Sequence, residues 1–247
     1  MRFLTVALLV HQHFGTLTTR TTTRSQTSAV VKALVTSSPQ PNLRSLRLFG
    51  SSSSSSTTKT ALNMVKRVLV PIAEGSEEIE TTCITDTLTR FGAEVTIASV
   101  MPDLLCKMSR GIKVMADMSI EDAAKEEYDL VVCPGGMPGA THLRDSETLK
   151  YILEKQKAAG KPYGAICAAP AVVLATHQLL DEKATCYPAP QFREKLQDPV
   201  DDVVAVTGGG LITTSKGPGT ALLFALELGE QLYGKEARNK IQKEMLV

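Results

Sequence analysis

The stretch "YDLVVCPGG", residues 128–136, runs Leu130, Val131, Val132 and Cys133 together without a polar break and then turns at Pro-Gly-Gly. A strand with one wet face alternates apolar and polar residues. An unbroken apolar run is what a strand covered on both faces requires, and that burial belongs to parallel sheets wrapped by helices. This one segment restricts the chain to α/β architectures before the rest is read.

The remaining segments agree. "KRVLVPIA" (66–73), "AEVTIASV" (93–100), "IKVMAD" (112–117), "PYGAIC" (162–167) and "LITTS" (211–215) read as strands. Between them lie helical patterns. "SEEIETTCITDTLTRFG" (76–92) offers Ser76 as N-cap and acids Glu77, Glu78 and Glu80 in the first turn, where the helix dipole favours them. Ile79, Cys83, Leu88 and Phe91 fall near one face, and Gly92 closes the helix. Residues 146–160 form an amphipathic helix. "APAVVLATHQLL" (169–180) and "GTALLFALELGEQLYG" (219–234) read as buried helices. Strand–helix alternation with apolar strands predicts a doubly wound sandwich around a mostly parallel sheet.

The first 63 residues differ in composition. No Asp or Glu occurs before Glu74, while Arg2, Arg20, Arg24, Lys32, Arg44, Arg47 and Lys59 do, among many Ser and Thr and the tract "SSSSSSTT" from Ser51. Arg-rich, hydroxyl-rich and acid-poor is the composition of an organelle transit segment. The apolar run Phe3–Val10 ahead of it resembles a short signal and is too short to span a bilayer. Residues 1–63 are expected to be a disordered, cleaved presequence, for a plastid rather than a mitochondrion, and residues 64–247 a single domain. Translation from Met64 would leave the protein in the cytoplasm. A net charge of +1 gives no electrostatic reason to expect nucleic acid. Five cysteines without a C-x-x-C pair or a His/Cys cluster favour neither a disulfide framework nor a metal site.

In doubly wound sheets, sites form at the carboxyl ends of strands. Three stretches lie there: "AEGSEEIE", "PGGMPGA" and "ICAAP". Their convergence sets Cys167 beside Glu80 and a glycine-rich turn. Cys167 stands between a strand and a helix start, where the helix dipole lowers a thiol pKa. Pro170 suits a first helical turn. The bland alternative is a buried structural cysteine, the common fate of that residue type. Cys83 reads as helix core, Cys106 as a loop residue and Cys186 as lying near a strand end. His142 and His177 read as surface or capping residues.

"LVPIAEGSEEIE", "YDLVVCPGGMPGA", "GAICAAP" and "TTSKGPGT" together resemble the ThiJ/PfpI superfamily, nearest the branch holding the human parkinsonism-associated deglycase and bacterial YajL. The likeness runs over residues 66–247. It implies a flavodoxin-like fold and a homodimer, a reactive cysteine at Cys167, its partner glutamate at Glu80, and an oxyanion pocket from the backbone of Gly135, Gly136 and Ala168. Asp86, with no evident local partner on the first helix, agrees with a dimer contact there.

Two departures bear on chemistry. Hydrolases of the superfamily carry His after the nucleophile, where this chain has Ala168, so a Cys–His peptidase is not supported. Deglycase relatives often carry a pocket His where this chain has Tyr187, which can orient a carbonyl but is a weak base at neutral pH. Two readings remain: a glutathione-independent glyoxalase or deglycase acting on methylglyoxal-type aldehydes or their adducts, with no cofactor or metal, or a peroxide-oxidised, chaperone-like protective homodimer. No membrane partner is expected. A nucleotide site is weakly indicated, since "PGGMPGA" lacks the G-x-G-x-x-G pattern.

Overall fold

The computed structural model describes residues 65–247. The expected presequence, residues 1–63, lies outside the described residues.

Seven strands form the central sheet: β1 (Arg67–Ile72), β2 (Glu94–Ser99), β3 (Met118–Ser119), β4 (Leu130–Cys133), β5 (Tyr163–Ile166), β6 (Val204–Thr207) and β7 (Ile212–Ser215). Their order is β6-β7-β5-β4-β1-β2-β3. All neighbours run parallel except β6 against β7. The fold is therefore the mixed α/β sandwich with a mostly parallel sheet that the apolar strands predict.

β4 shows why. Leu130 and Val132 point into one apolar cluster, Val131 and Cys133 into the other, and all four are fully buried. One cluster lies beneath α1 (Glu78–Arg90) and α4 (Ala221–Tyr233), which pack on each other. The other lies beneath α2 (Gly139–Asp145) and α3 (Glu147–Ala158). A final helix, α5 (Lys235–Glu244), folds back on α4.

Several local expectations are corrected. The N-cap of α1 is Glu77, whose carboxylate accepts the N–H of Glu80 at 2.8 Å; Ser76 instead turns inward and accepts the N–H of Ala73 at 3.0 Å. The buried face of α1 carries Glu80, Thr81, Ile84, Thr87 and Leu88, while Ile79 is 52% exposed. The segment 112–117 gives a short strand, Lys113–Met115, but it pairs with Leu105–Lys107 in a separate ribbon, and this pairing buries Cys106. The segment 169–180 forms only a six-residue π-helix, Pro170–Ala175. Pro170 has no N–H to donate, and the Thr176 hydroxyl donates to the carbonyl of Ala171, competing with the ladder. β3 and β6 add strands to those expected; "VVAVT" followed by three glycines and "LITTS" is the hairpin signal of β6. Asp86 does have a local partner, the Arg90 guanidinium one turn on at 2.7 Å. His177 lies against the end of α2, its ring nitrogen 2.8 Å from the Arg144 carbonyl.

Candidate active site

The carboxyl ends of β1, β4 and β5 meet at one cleft of about 240 Å³, lined by Glu77, Ser109, Arg110, Gly136, Met137, Cys167, Ala168, Tyr187, Phe192 and Pro218. Cys167 directly follows β5. Its φ is 64°, a left-handed conformation that non-glycine residues rarely adopt and that costs about 1–3 kcal/mol. Two backbone bonds hold it there: its N–H donates to the Ser215 carbonyl at 3.0 Å, and its carbonyl accepts the N–H of Tyr187 at 2.7 Å. The strained turn lifts the thiol off the strand, toward the cleft, with the residue still only 9% exposed.

Glu80 comes from the first turn of α1 and is fully buried. The N–H of Gly135 donates to its Oε2 at 2.7 Å. Its Oε1 has no hydrogen-bond partner. Burial pushes the Glu80 carboxyl up to about 7; the Gly135 N–H and the Cys167 thiol beside it oppose that shift, and the nearby charge of Glu77 adds to it. Burial pushes the Cys167 thiol up to about 12. The Glu80 charge raises it further, while the nearby N–H groups of Gly136 and Ala168 pull the other way. A thiol pKa lowered by a helix start is therefore not what the structure holds; the element after Cys167 is one short π-helix and its neighbour is an acid. The two groups titrate as a pair. Burial holds both protons, and once Glu80 is charged its negative charge makes the Cys167 proton harder still to remove. Between about 7 and about 12 the pair carries one charge and one proton, divided between sulfur and carboxyl. Cys133 has no such partner: buried in the sheet, it is raised to about 12 by burial alone.

The glycines of "PGGMPGA" follow from packing. A Cβ on Gly135 would sit 2.6 Å from the Cys167 Cβ and 3.0 Å from Glu80 Oε2. One on Gly136, where φ is +84°, would sit 2.4 Å from the Gly75 carbonyl oxygen. Of the backbone groups assigned to the oxyanion pocket, the N–H groups of Gly136 and Ala168 lie near enough to the thiol to lower its pKa, whereas Gly135 donates its N–H to Glu80. Tyr187 stands at the cleft wall, 45% exposed, with its ring edge-on to Phe192 at 6.3 Å between centroids.

Ser109, Arg110 and Phe192 line the cleft but escape the sequence reading. Ser109 and Arg110 are brought in by Glu78, whose carboxylate accepts the Ser109 hydroxyl at 2.8 Å and the Arg110 N–H at 2.7 Å. The Arg110 guanidinium makes no ion pair among the described residues; its side-chain bond is to the Ser109 carbonyl at 3.4 Å. It leaves a cationic group free at the cleft. No local motif marks it, because the contact joins residues 31 and 32 positions apart.

The chain is also similar to known proteins. The DJ-1/PfpI family pattern matches residues 66–231. Protein DJ-1 homolog B of Arabidopsis thaliana is 43% identical over 198 residues, covering 77% of this chain and 45% of that protein. The chain thus spans about half the length of that relative. The glutathione-independent glyoxalase DJR-1.2 of Caenorhabditis elegans is 34% identical over 182 residues, 72% of this chain and 94% of that protein. The solved structure of oxidized Toxoplasma gondii DJ-1 superposes with a TM-score of 0.70 at 48% identity, covering 74% of this chain and 98% of that one. These matches place the chain in the DJ-1/PfpI family.

Proposed function

We propose that the protein is a cysteine-dependent, glutathione-independent glyoxalase, acting on methylglyoxal-type 2-oxoaldehydes or on their adducts with amines and thiols. The observation that carries the reading is the buried Glu80 carboxyl, one oxygen tied to Gly135 and the other without a partner beside Cys167. The name of the nematode relative supports the same chemistry.

The steps balance on these residues alone. The Cys167 sulfur adds to the aldehyde carbon. A C–S bond forms, the carbonyl π pair moves to oxygen, and the thiol proton reaches that oxygen by way of Glu80. The product is a hemithioacetal, whose oxygen lies within reach of the Gly136 and Ala168 N–H groups. Glu80 as carboxylate then removes the proton from the carbon bearing sulfur, giving an enediol, and returns one to the adjacent carbon while the hydroxyl proton of the first carbon passes to the neighbouring oxygen, giving a 2-hydroxy thioester. Water cleaves the thioester, releasing lactate and the thiol. The sum is methylglyoxal plus water to lactate. A carboxyl with a pKa near 7 suits both directions of that transfer at neutral pH. Tyr187 and Arg110 would orient the ketone oxygen or an anionic substituent. Lactate measured after mixing the full chain with methylglyoxal, without glutathione, tests the reading.

A second reading has its own observation. Two backbone N–H groups near the sulfur would stabilise a sulfinate formed by peroxide, with protonated Glu80 as a third donor. The oxidized state of the Toxoplasma relative accords with it. In both readings we take the protein to be a homodimer imported into an organelle, a plastid before a mitochondrion, by residues 1–63, with 64–247 as the working domain.

A further inference from the structure

We propose that Thr220 is a positioning residue for Cys167: its hydroxyl, with that of Ser215, completes a one-way hydrogen-bond chain that holds the strained turn presenting the thiol. The inference rests on the reading of Cys167 as the reacting group and holds for either of its proposed reactions.

The motif "TTSKGPGT", residues 213–220, contains an oddity. β7 is buried along its whole length, and a strand so covered is normally apolar, yet Thr213, Thr214 and Ser215 are all fully buried. Buried hydroxyls need partners, and each of these has one. Thr213 accepts the side-chain amide of Gln231 at 2.7 Å, which ties β7 to α4. Thr214 accepts the N–H of Thr185 at 3.1 Å. The Ser215 oxygen lies 2.7 Å from the Val203 carbonyl and 2.7 Å from the Thr220 hydroxyl.

Donor counting gives this last group a direction. A carbonyl only accepts, so the single Ser215 proton goes to Val203. The 2.7 Å contact between the two hydroxyl oxygens then takes the Thr220 proton. Thr220 in turn accepts the Gly217 N–H at 3.1 Å, while the Gly217 carbonyl is served by the Thr220 N–H at 2.9 Å. The chain therefore runs from the Gly217 N–H through Thr220 and Ser215 to the Val203 carbonyl. Thr220 is also the N-cap residue of α4, where a threonine commonly accepts an N–H of its own helix, and it makes no such bond. Its hydroxyl is diverted from the helix to the loop beside the thiol.

Both ends of the chain bear on Cys167. Ser215 supplies the carbonyl that accepts the Cys167 N–H at 3.0 Å. The Gly217 backbone stands beside the reacting pair, since a Cβ built there would lie 3.9 Å from the sulfur and 3.9 Å from Glu80 Oε1. The second hold on the turn, the Tyr187 N–H to the Cys167 carbonyl, belongs to the segment that Thr214 pins through Thr185. A left-handed φ on a cysteine persists only while its surroundings enforce it. Released, residue 167 would continue the extended course of β5 and draw the sulfur out of the cleft.

Thr220→Val keeps the outline of the side chain and removes the hydroxyl, whereas Thr220→Ser keeps the hydroxyl and removes the methyl. Two rates are to be measured on the full chain: lactate formation from methylglyoxal, and alkylation of Cys167 by iodoacetamide, read by mass spectrometry. Both should fall about tenfold or more in Thr220→Val, as the presented thiol becomes the minor state. Thr220→Ser should restore most of both. Ser215→Ala removes the next hydroxyl of the chain and should reproduce the losses; it carries the test if Thr220→Val does not fold. A site that is merely loosened would expose the sulfur and speed alkylation. Unchanged or faster alkylation in either folded variant would therefore overturn the proposal, and so would a Thr220→Ser protein as impaired as Thr220→Val. If the wild type forms no lactate, the glyoxalase reading fails by itself, and the alkylation rates still decide the role of the hydroxyl chain.

Discussion

The N–H of Gly135 donates to Oε2 of Glu80 at 2.7 Å, and this bond decides which carboxyl oxygen faces the thiol. It joins the turn after β4 to the first turn of α1, 55 residues earlier in the chain. Because Oε2 is occupied, Oε1 is the oxygen left to exchange a proton with Cys167 and its substrate.

Glu80→Gln preserves the shape and keeps a hydrogen-bonding group but cannot accept a proton. Aldehyde turnover should fall by about 10²–10⁴, the contribution expected of a positioned general acid–base. Oxidation of Cys167 by peroxide should persist, since the Gly136 and Ala168 N–H groups remain. Stopped turnover assays beside mass spectrometry of the thiol separate the two.

Stability should depend on pH through the same carboxyl. Glu80 titrates near 7 when folded, against an ordinary value of 4.5, so the folded state holds its proton more tightly than the unfolded chain. The stability this lends is fully present below 4.5 and is lost as pH rises through about 7. Urea midpoints measured from about pH 4.5 to 8 should decline across that window in the wild type, and the Glu80→Gln protein should show a flatter profile.

Gly136→Ala should destabilise the fold by about 2 kcal/mol or more, since strain at a left-handed φ and overpacking act together. The new methyl would stand 2.4 Å from the Gly75 carbonyl oxygen and 2.6 Å from the Glu77 nitrogen. Urea unfolding of the full chain measures it.

Dimer formation should be visible as twice the chain mass by light scattering. Ile79 and Ile112 are 52% and 58% exposed, and they share an apolar depression with Cys83. Ile79→Glu places a charge on that face and should shift the mass toward the monomer while leaving β1 and the buried side of α1 untouched. An unchanged mass would remove this face from the interface.

The sequence makes much of this legible where a single local signal decides the matter. The apolar run at Leu130–Cys133 predicts a covered parallel strand, and β4 lies at the centre of the sheet with three strands on either side. Cys167 and Glu80 are readable because three strand ends carry distinctive turns and because the family motifs coincide with them. Contacts between distant segments are not readable. Ser109 and Arg110 reach the cleft only through Glu78, which in sequence looks like one more first-turn acid. Ser76 and Glu77 exchange roles as cap because Ser76 is drawn inward to the Ala73 N–H. The thiol pKa runs against the sequence expectation for a related reason: the dipole of a helix start is a local cue, whereas the desolvation and the Glu80 charge that outweigh it come from tertiary packing.

The most direct test of the account is lactate formed from methylglyoxal by the full chain, without glutathione, with Cys167→Ala measured in parallel. The account predicts steady lactate formation by the wild type and none above background by Cys167→Ala, whose fold should survive the loss of one small buried atom. Lactate formation that persists in Cys167→Ala, or none from a folded wild type with a free thiol at Cys167, would contradict it.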